Sequence, residues 1–190
     1  DRGARVGYRL ALDHPGRVSK LALLDIIPTS TMWERMDASR AMQVYHWTFL
    51  AQPRPLPENL IKRSPTEWLE HTLASWTASK DLKAFAPGAL AHYRAFFQDP
   101  ARITACCEDY RAGASVDPEH DEADLKRGNT LVCPTLILWG RAGIPAAGTG
   151  PLDIWRSSFA PDAVGHGIDG GHFLPEENPA ATLEAFEEFF

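Results

Sequence analysis

The chain has 190 residues, of which 44% are hydrophobic and 23% are charged, and its formal net charge is −6. This composition is typical of a folded globular domain and excludes a disordered or fibrous protein. The acidic balance, without a dense run of Lys and Arg, argues against nucleic acid or an anionic membrane as the main partner, so an anionic substrate would need locally placed arginines.

No apolar stretch approaches the roughly 18 residues that span a bilayer, and residues 1–16 lack the regions of a signal peptide. We therefore expect a cytoplasmic protein. Cys106, Cys107 and Cys133 have neither disulfide-framework nor metal-site spacing. We expect them to be buried structural thiols, and we expect no metal.

The first elements alternate between helix and strand. Apolar residues at i,i+4 spacing predict a helix from Arg2 to Asp13, which the sequence His14-Pro15-Gly16 would end. Residues 18–27 form a short apolar run before Pro28, typical of a strand buried on both faces of a parallel sheet. Asp25 lies near the carboxyl end of this strand, where open α/β sheets place their chemistry.

The middle of the chain predicts only helices. From about Thr29 to Ser115 the pattern is helical, rich in aromatic residues, and broken by a Pro-rich loop at 52–57. Asp117-Pro118 then predicts the start of another helix, with Asp117 as N-cap, and residues 126–128 predict its end. This block is therefore expected to be an insertion of about ninety residues within an α/β fold.

The last third returns to the alternating pattern. Residues 131–139 predict a second buried strand, followed by a Gly-rich loop at 140–150, a short helix near 152–158 and a final helix capped by Asn178-Pro179. We expect an α/β fold with core segments at 1–28 and 117–190 around a helical cap at 29–116. Two or three strands are few for such a sheet, so the chain is expected to be a fragment of a longer protein or to pair with another chain.

Three residues occur in the order of an α/β-hydrolase triad. Asp1 precedes a helix as a strand-to-helix elbow would, Asp25 ends a strand, and His172 follows Gly170-Gly171 in the loop before the last helix. The stretch after the second strand, where the acid more often lies, has no carboxylate until Asp153, which favours Asp25. Asp1 as a plain helix cap and His172 as a surface histidine are the simpler alternatives.

An Asp nucleophile suits displacement at saturated carbon or opening of an epoxide, because a carboxylate forms an alkyl ester without first losing a proton. Water must then cleave that ester. His172, oriented by Asp25, would be the general base for this second step.

Other polar residues could bind the substrate. Arg2 and Arg5, three positions apart, would project to one side of the helix and could hold a carboxylate. His46, Trp47 and Tyr110 supply ring N–H and O–H donors that could replace the water around a departing halide. Solvated arginines and ordinary core aromatic residues are the alternatives.

The chain closely resembles bacterial fluoroacetate (haloacetate) dehalogenases of the α/β-hydrolase fold along essentially its whole length. The matching stretches are DRGAR at 1–5, LALLDIIPT at 21–29, YHWTFLAQP at 45–53, LPENL at 56–60, LASWT at 73–77, CEDYRAGA at 107–114 and GHFLPEE at 171–177.

The resemblance implies a role for each candidate site residue. Asp1 would be the nucleophile and Asp25 and His172 the rest of the triad. Arg2 and Arg5 would bind the substrate carboxylate, and the Arg2 backbone N–H would be half of the oxyanion hole. His46, Trp47 and Tyr110 would hold the halide, and Trp76 would be a pocket residue of the cap.

The resemblance also implies a small haloacid substrate, no cofactor and a homodimer. Two departures are expected to matter. The strand before the nucleophile, which the family has, is not seen here, so these 190 residues alone are expected to be inactive. Ser30 and Met32 stand where the family has aromatic residues, which would widen the mouth of the pocket.

Two other functions compete. An epoxide hydrolase shares the nucleophile and could use Tyr45 and Tyr110, but a neutral epoxide would leave two buried arginines without a charge to bind. A ligand-binding relative, or an inactive truncated product, is the alternative that is not an enzyme.

Overall fold

The computed structural model describes residues 1–143 and 150–190. Residues 144–149, part of the Gly-rich loop expected at 140–150, lie outside the described residues. In chain order the elements are α1 (Arg2–Asp13), β1 (Leu21–Leu24), α2 (Thr29–Glu34), α3 (Ala38–Gln43), α4 (Tyr45–Leu50), α5 (Leu56–Ile61), α6 (Pro65–Trp76), α7 (Pro87–Phe97), α8 (Pro100–Gly113), α9 (Val116–Arg127), β2 (Thr135–Gly140), α10 (Pro151–Ser157), β3 (Val164–Ile168), α11 (Leu174–Glu177) and α12 (Pro179–Phe189).

The described strands form one parallel sheet in the order β1-β2-β3. Leu21 of β1 is paired with Thr135 of β2, and Leu136 of β2 is paired with Val164 of β3. Because parallel strands run in one direction, their carboxyl ends meet at one edge of the sheet. Asp25 follows β1 at that edge, and Gly140 ends β2 there.

The sheet buries apolar side chains on both faces. Ile137 belongs to a cluster with Tyr8 of α1 and Trp155 of α10, whereas Leu136 and Leu138 belong to a second cluster with residues of α11 and α12. Successive residues of a strand point to opposite faces, so a strand covered on both sides must be apolar throughout. This explains the apolar run at 136–139 within β2.

Both predicted strands exist, but their predicted bounds are too long. The expected strand at 18–27 is regular only at Leu21–Leu24, because Asp25 takes a left-handed backbone conformation with φ 50°. The expected strand at 131–139 begins at Thr135, just after Pro134, which has no N–H to donate to a ladder. Asp25 therefore ends β1, and Pro134 sets where β2 begins.

The strand β3 was not predicted from the sequence. Its residues, VGHGI, include two glycines and a histidine, and glycine is depleted in strands. A Cβ at Gly165 would lie 1.8 Å from the Ile137 carbonyl oxygen. The glycine is thus required by a close approach between neighbouring strands, which a single-sequence pattern does not reveal.

The helix predictions agree closely with the structure. The first helix spans Arg2–Asp13 as predicted, and the last is capped by Asn178, whose side chain accepts from the Ala181 N–H. The helix expected to begin at Asp117 starts one residue earlier, at Val116, so Asp117 is not its N-cap. From Thr29 to Ser115, a fully described range, the regular elements are helices only.

The chain divides into two compact units. We call residues 1–28, 76–79 and 121–190 the sheet unit, and residues 29–75 and 80–120 the helical unit. The short segment 76–79 and residues 117–120 are therefore placed differently from the domain bounds expected from the sequence.

The three cysteines differ in how deeply they are buried. Cys107 is buried, and its burial raises the pKa of its thiol to about 11. Cys106 and Cys133, which we expected to be buried, are only partly buried, and all three are free thiols. Within the described ranges, no helix is long and apolar enough to cross a membrane.

Candidate active site

The sheet unit brings the three predicted triad residues together. The His172 Nδ1 lies 2.6 Å from the Asp25 Oδ2, and the His172 Nε2 lies 3.6 Å from the Asp1 Oδ2. These residues are separated by up to 171 positions in the chain. The hydrogen bond to Asp25 favours the imidazole tautomer that is protonated at Nδ1 and leaves Nε2 as an acceptor facing Asp1.

Asp25 is held on both of its carboxylate oxygens. Its Oδ1 accepts a hydrogen bond of 2.9 Å from the Gly140 N–H, its Oδ2 bonds to His172, and the residue is 2% exposed. The Asp25 N–H donates to the Leu138 carbonyl at 2.7 Å, which continues the strand ladder by one residue. Asp25 itself has a left-handed backbone conformation, with φ 50°.

Asp1 has the position of a helix cap but does not use its side chain as one. Its backbone carbonyl accepts from the Ala4 and Arg5 N–H groups at 3.0 and 3.2 Å, whereas its carboxylate makes no capping hydrogen bond. The carboxylate faces His172 and is 32% exposed. The geometry therefore differs from that of an ordinary N-cap, the simpler alternative considered for this residue.

Arg2 and Arg5 lie in the first turn of α1, directly after Asp1. Arg2 is partly buried and Arg5 is only 6% exposed. The Arg5 Nη1 donates to the Ile27 carbonyl at 3.1 Å. Burying a guanidinium is costly unless its donors are bound, and this hydrogen bond binds one of them.

The loop that carries His172 packs against the segment after α6. The His172 N–H donates to the Trp76 carbonyl at 3.0 Å, and the two rings meet edge to face with centroids 5.3 Å apart. A Cβ at Gly171 would lie 2.5 Å from the Ala78 nitrogen. Trp76, for which the resemblance implied a place in the cap, belongs to the sheet unit beside the histidine.

The helical unit brings together the three residues expected to hold a halide. His46 and Trp47 lie on α4 and Tyr110 on α8, and all three are at most 4% exposed. The Tyr110 ring lies edge to face with both others, with centroids 5.5 Å from His46 and 6.2 Å from Trp47. The cluster thus gathers two ring N–H groups and a phenol in one buried place.

Sequence reasoning missed three residues of the site. Gly140 donates to Asp25, and a Cβ at Gly143 would lie 2.5 Å from the Asp25 Oδ1. Glu177 binds backbone amides on both sides of His172. A glycine ending the buried strand, and a glutamate within the matching stretch GHFLPEE, were visible signals. The Asp25 partner of Gly140 is distant in sequence, and so is Ala78, whose N–H also donates to Glu177.

The arrangement suits two-step nucleophilic chemistry. A carboxylate can attack, and a histidine paired with a second carboxylate can later activate water. Within residues 1–143 and 150–190, no group of three or more His, Cys, Asp or Glu side chains is placed to hold a metal ion.

Comparison with known proteins identifies the family. A family model described as the alpha/beta hydrolase fold matches residues 1–179. The chain is 40% identical over 189 residues to a fluoroacetate dehalogenase from a Burkholderia species, covering all of this chain and 61% of that protein. It is 23% identical over 192 residues to a soluble epoxide hydrolase from Corynebacterium sp. strain C12, covering 64% of that protein.

Solved structures show the same fold. An α/β hydrolase from Nostoc sp. PCC 7120 has a TM-score of 0.93 and 50% identity, and this chain covers 63% of it. A protein from Pseudomonas aeruginosa assigned as an epoxide hydrolase has a TM-score of 0.92 and 43% identity, with 62% covered. Both matches extend over 100% of this chain, which spans less than two thirds of each of these relatives.

Proposed function

The chain belongs to the α/β hydrolase fold family, and from this premise we propose that the full-length protein hydrolyses haloacetates, converting fluoroacetate to glycolate and halide. The observation that carries the proposal is the line from Asp1 through His172 to Asp25, with separations of 3.6 and 2.6 Å. The 40% identity to a fluoroacetate dehalogenase supports the substrate class.

In the first step an Asp1 carboxylate oxygen attacks the carbon that bears the halogen. The new carbon–oxygen bond forms as the carbon–halogen bond breaks, and the halide leaves with the bonding electrons. Asp1 becomes an alkyl ester. Arg2 and Arg5 would hold the substrate carboxylate in the pose that this attack requires.

The N–H and O–H donors of His46, Trp47 and Tyr110 would receive the halide. Fluoride needs such donors most, because it is a poor leaving group that is strongly hydrated in water. Donors fixed in advance in a buried cluster stabilise developing negative charge without reorganising. Their burial and mutual contacts support this role.

In the second step His172 Nε2 takes a proton from water, and the resulting hydroxide attacks the ester carbonyl of Asp1. The backbone N–H of Arg2 would stabilise the oxyanion. The intermediate collapses, the ester oxygen leaves with glycolate and takes the proton held by His172, and Asp1 is left as a carboxylic acid that loses the second proton of the water to solvent and so becomes a carboxylate again. The separation of 3.6 Å suits a base that acts on water beside the ester.

An epoxide hydrolase is the second candidate, favoured by the 43% identity to the Pseudomonas aeruginosa protein. It would use the same nucleophile and general base, with tyrosines donating to the epoxide oxygen. Tyr110 is buried, but Tyr45 is 37% exposed. A pair of arginines beside the nucleophile also favours an anionic substrate over a neutral one.

The test measures halide release from fluoroacetate and chloroacetate by the full-length protein, together with diol formation from a neutral epoxide. We expect halide release to be lost in Asp1→Asn, because an amide is a far weaker nucleophile. Asp153→Asn, a change of an exposed aspartate at the start of α10, is the matched control and should retain activity. Undiminished halide release from Asp1→Asn would end the nucleophile assignment.

A further inference from the structure

Glu177, the last residue of α11, binds three backbone amides with one carboxylate. Its Oε2 accepts from the Ala78 N–H at 2.7 Å and from the Gly171 N–H at 2.9 Å. Its Oε1 accepts from the Phe173 N–H at 3.0 Å. An ionised carboxylate is an acceptor on both oxygens, so it can satisfy all three donors at once, whereas an amide cannot.

The three amides belong to the two segments that surround the histidine. Gly171 and Phe173 are the immediate neighbours of His172, and Ala78 follows Trp76 by two positions. The His172 N–H donates to the Trp76 carbonyl at 3.0 Å. The backbone of His172 is therefore fixed on both sides by Glu177 and at its own N–H by Trp76.

These contacts leave little freedom in the histidine ring. The fixed backbone sets the position of the His172 Cβ, and the Asp25 Oδ2 lies 2.6 Å from Nδ1. The Trp76 and Phe173 rings pack edge to face against the imidazole, with centroids 5.3 and 5.0 Å away. A side chain held this way keeps its reactive nitrogen within a small volume. Displacing a general base by roughly 1 Å can lower the reaction rate about 100-fold.

We infer that Glu177 is the positioning residue for His172: its carboxylate ties the histidine loop to residues 76–78 and so aims Nε2 at the Asp1 ester. This inference rests on the proposed function and adds a residue to its second step. Glu177 itself does not touch the reacting atoms. Its effect passes through the backbone of the loop.

The inference predicts a defect confined to the second step. Ester formation needs Asp1 and the substrate-binding groups, whereas ester hydrolysis needs His172. In Glu177→Gln the amide nitrogen must face an N–H donor, so the loop shifts and water activation slows. We expect kcat to fall about 100-fold, with a fall in KM because the ester accumulates.

The experiment follows chloroacetate turnover by the full-length protein on the millisecond scale and records its intact mass. We expect Glu177→Gln to release about one halide per active site in a burst and to gain one carboxymethyl group. Glu177→Asp, which keeps the charge but is shorter, should show a smaller defect. Glu184→Gln, an exposed glutamate of α12, should behave as wild type.

The inference would be overturned if Glu177→Gln turned over chloroacetate as fast as wild type. It would also be overturned if the variant lost the halide burst and steady-state turnover to the same extent and formed no carboxymethyl adduct. If Glu177→Gln does not fold, the same measurement is made on Glu177→Asp. A Glu177→Asp protein that turns over more slowly but forms no carboxymethyl adduct would contradict the inference. If the wild-type protein releases no halide at all, the proposed function fails, which is a different observation.

Discussion

Gly143 lies where the absence of a side chain leaves room for the Asp25 carboxylate. A Cβ at this position would lie 2.5 Å from the Asp25 Oδ1 and 2.9 Å from its Oδ2. Contacts this short cannot be tolerated, and Asp25 is 2% exposed with both oxygens already bound. The Asp25 carboxylate would therefore have to move.

We expect Gly143→Ala to lower kcat for haloacetates about 100-fold, because displacement of Asp25 also displaces His172. Steady-state kinetics of the full-length protein would measure this. Gly88→Ala is the matched control, since a Cβ there meets nothing within 4 Å and α7 gains a residue that favours helix. An unchanged kcat in Gly143→Ala would show that Asp25 does not need its present position.

At the scale of elements, α5 and α8 are joined by a buried ion pair. The Arg111 Nη1 of α8 donates to the Glu58 Oε1 of α5 at 2.8 Å, and Glu58 is 3% exposed. The Arg111 Nε donates to the Gln52 carbonyl at 2.9 Å, just after α4. Arg111 thus connects three helices beside Tyr110.

This pair makes the stability of the protein depend on pH. The hydrogen bond from Arg111 is the main cause that lowers the pKa of Glu58 in the folded state. A carboxyl with a depressed folded pKa contributes stability above its unfolded pKa, about 4.3, and loses it as the pH falls through the folded pKa. We expect Glu58→Gln to reduce the free energy of unfolding by about 2 kcal/mol at pH 7.

Urea unfolding at pH 7, 5 and 3.5 would test this. The difference in free energy of unfolding between wild type and Glu58→Gln should be constant between pH 7 and 5 and should become smaller at pH 3.5. Glu122→Gln removes an exposed pair with Lys126 at 3.5 Å and should cost less than about 0.5 kcal/mol. A difference that does not change with pH would mean that the charge of Glu58 is not what stabilises the helices.

At the scale of the whole molecule, a bound carboxylate should stabilise the folded state. A ligand that binds only the folded protein, at 100 times its Kd, adds about 2.7 kcal/mol. We expect acetate, which carries the carboxylate but no leaving group, to raise the Tm of the full-length protein, and neutral acetamide to leave it unchanged.

Thermal unfolding at constant ionic strength would measure both ligands. The acetate effect should disappear in Arg2→Gln and persist in Arg102→Gln, where the arginine is 45% exposed on α8. Equal stabilisation by acetamide would contradict recognition of the carboxylate and would favour the epoxide hydrolase alternative.

Local patterns in the sequence determined the helices α1 and α12, the existence of β1 and β2, and the all-helical block between them, because helix caps and buried apolar runs act over a few residues. The order of Asp1, Asp25 and His172 was also readable. The ends of the strands, β3, and the contacts of Gly140, Gly143 and Glu177 were decided only by tertiary structure. Each of these depends on a close approach or a hydrogen bond between segments that lie apart in the chain, and such pairing leaves no periodic trace in a single sequence.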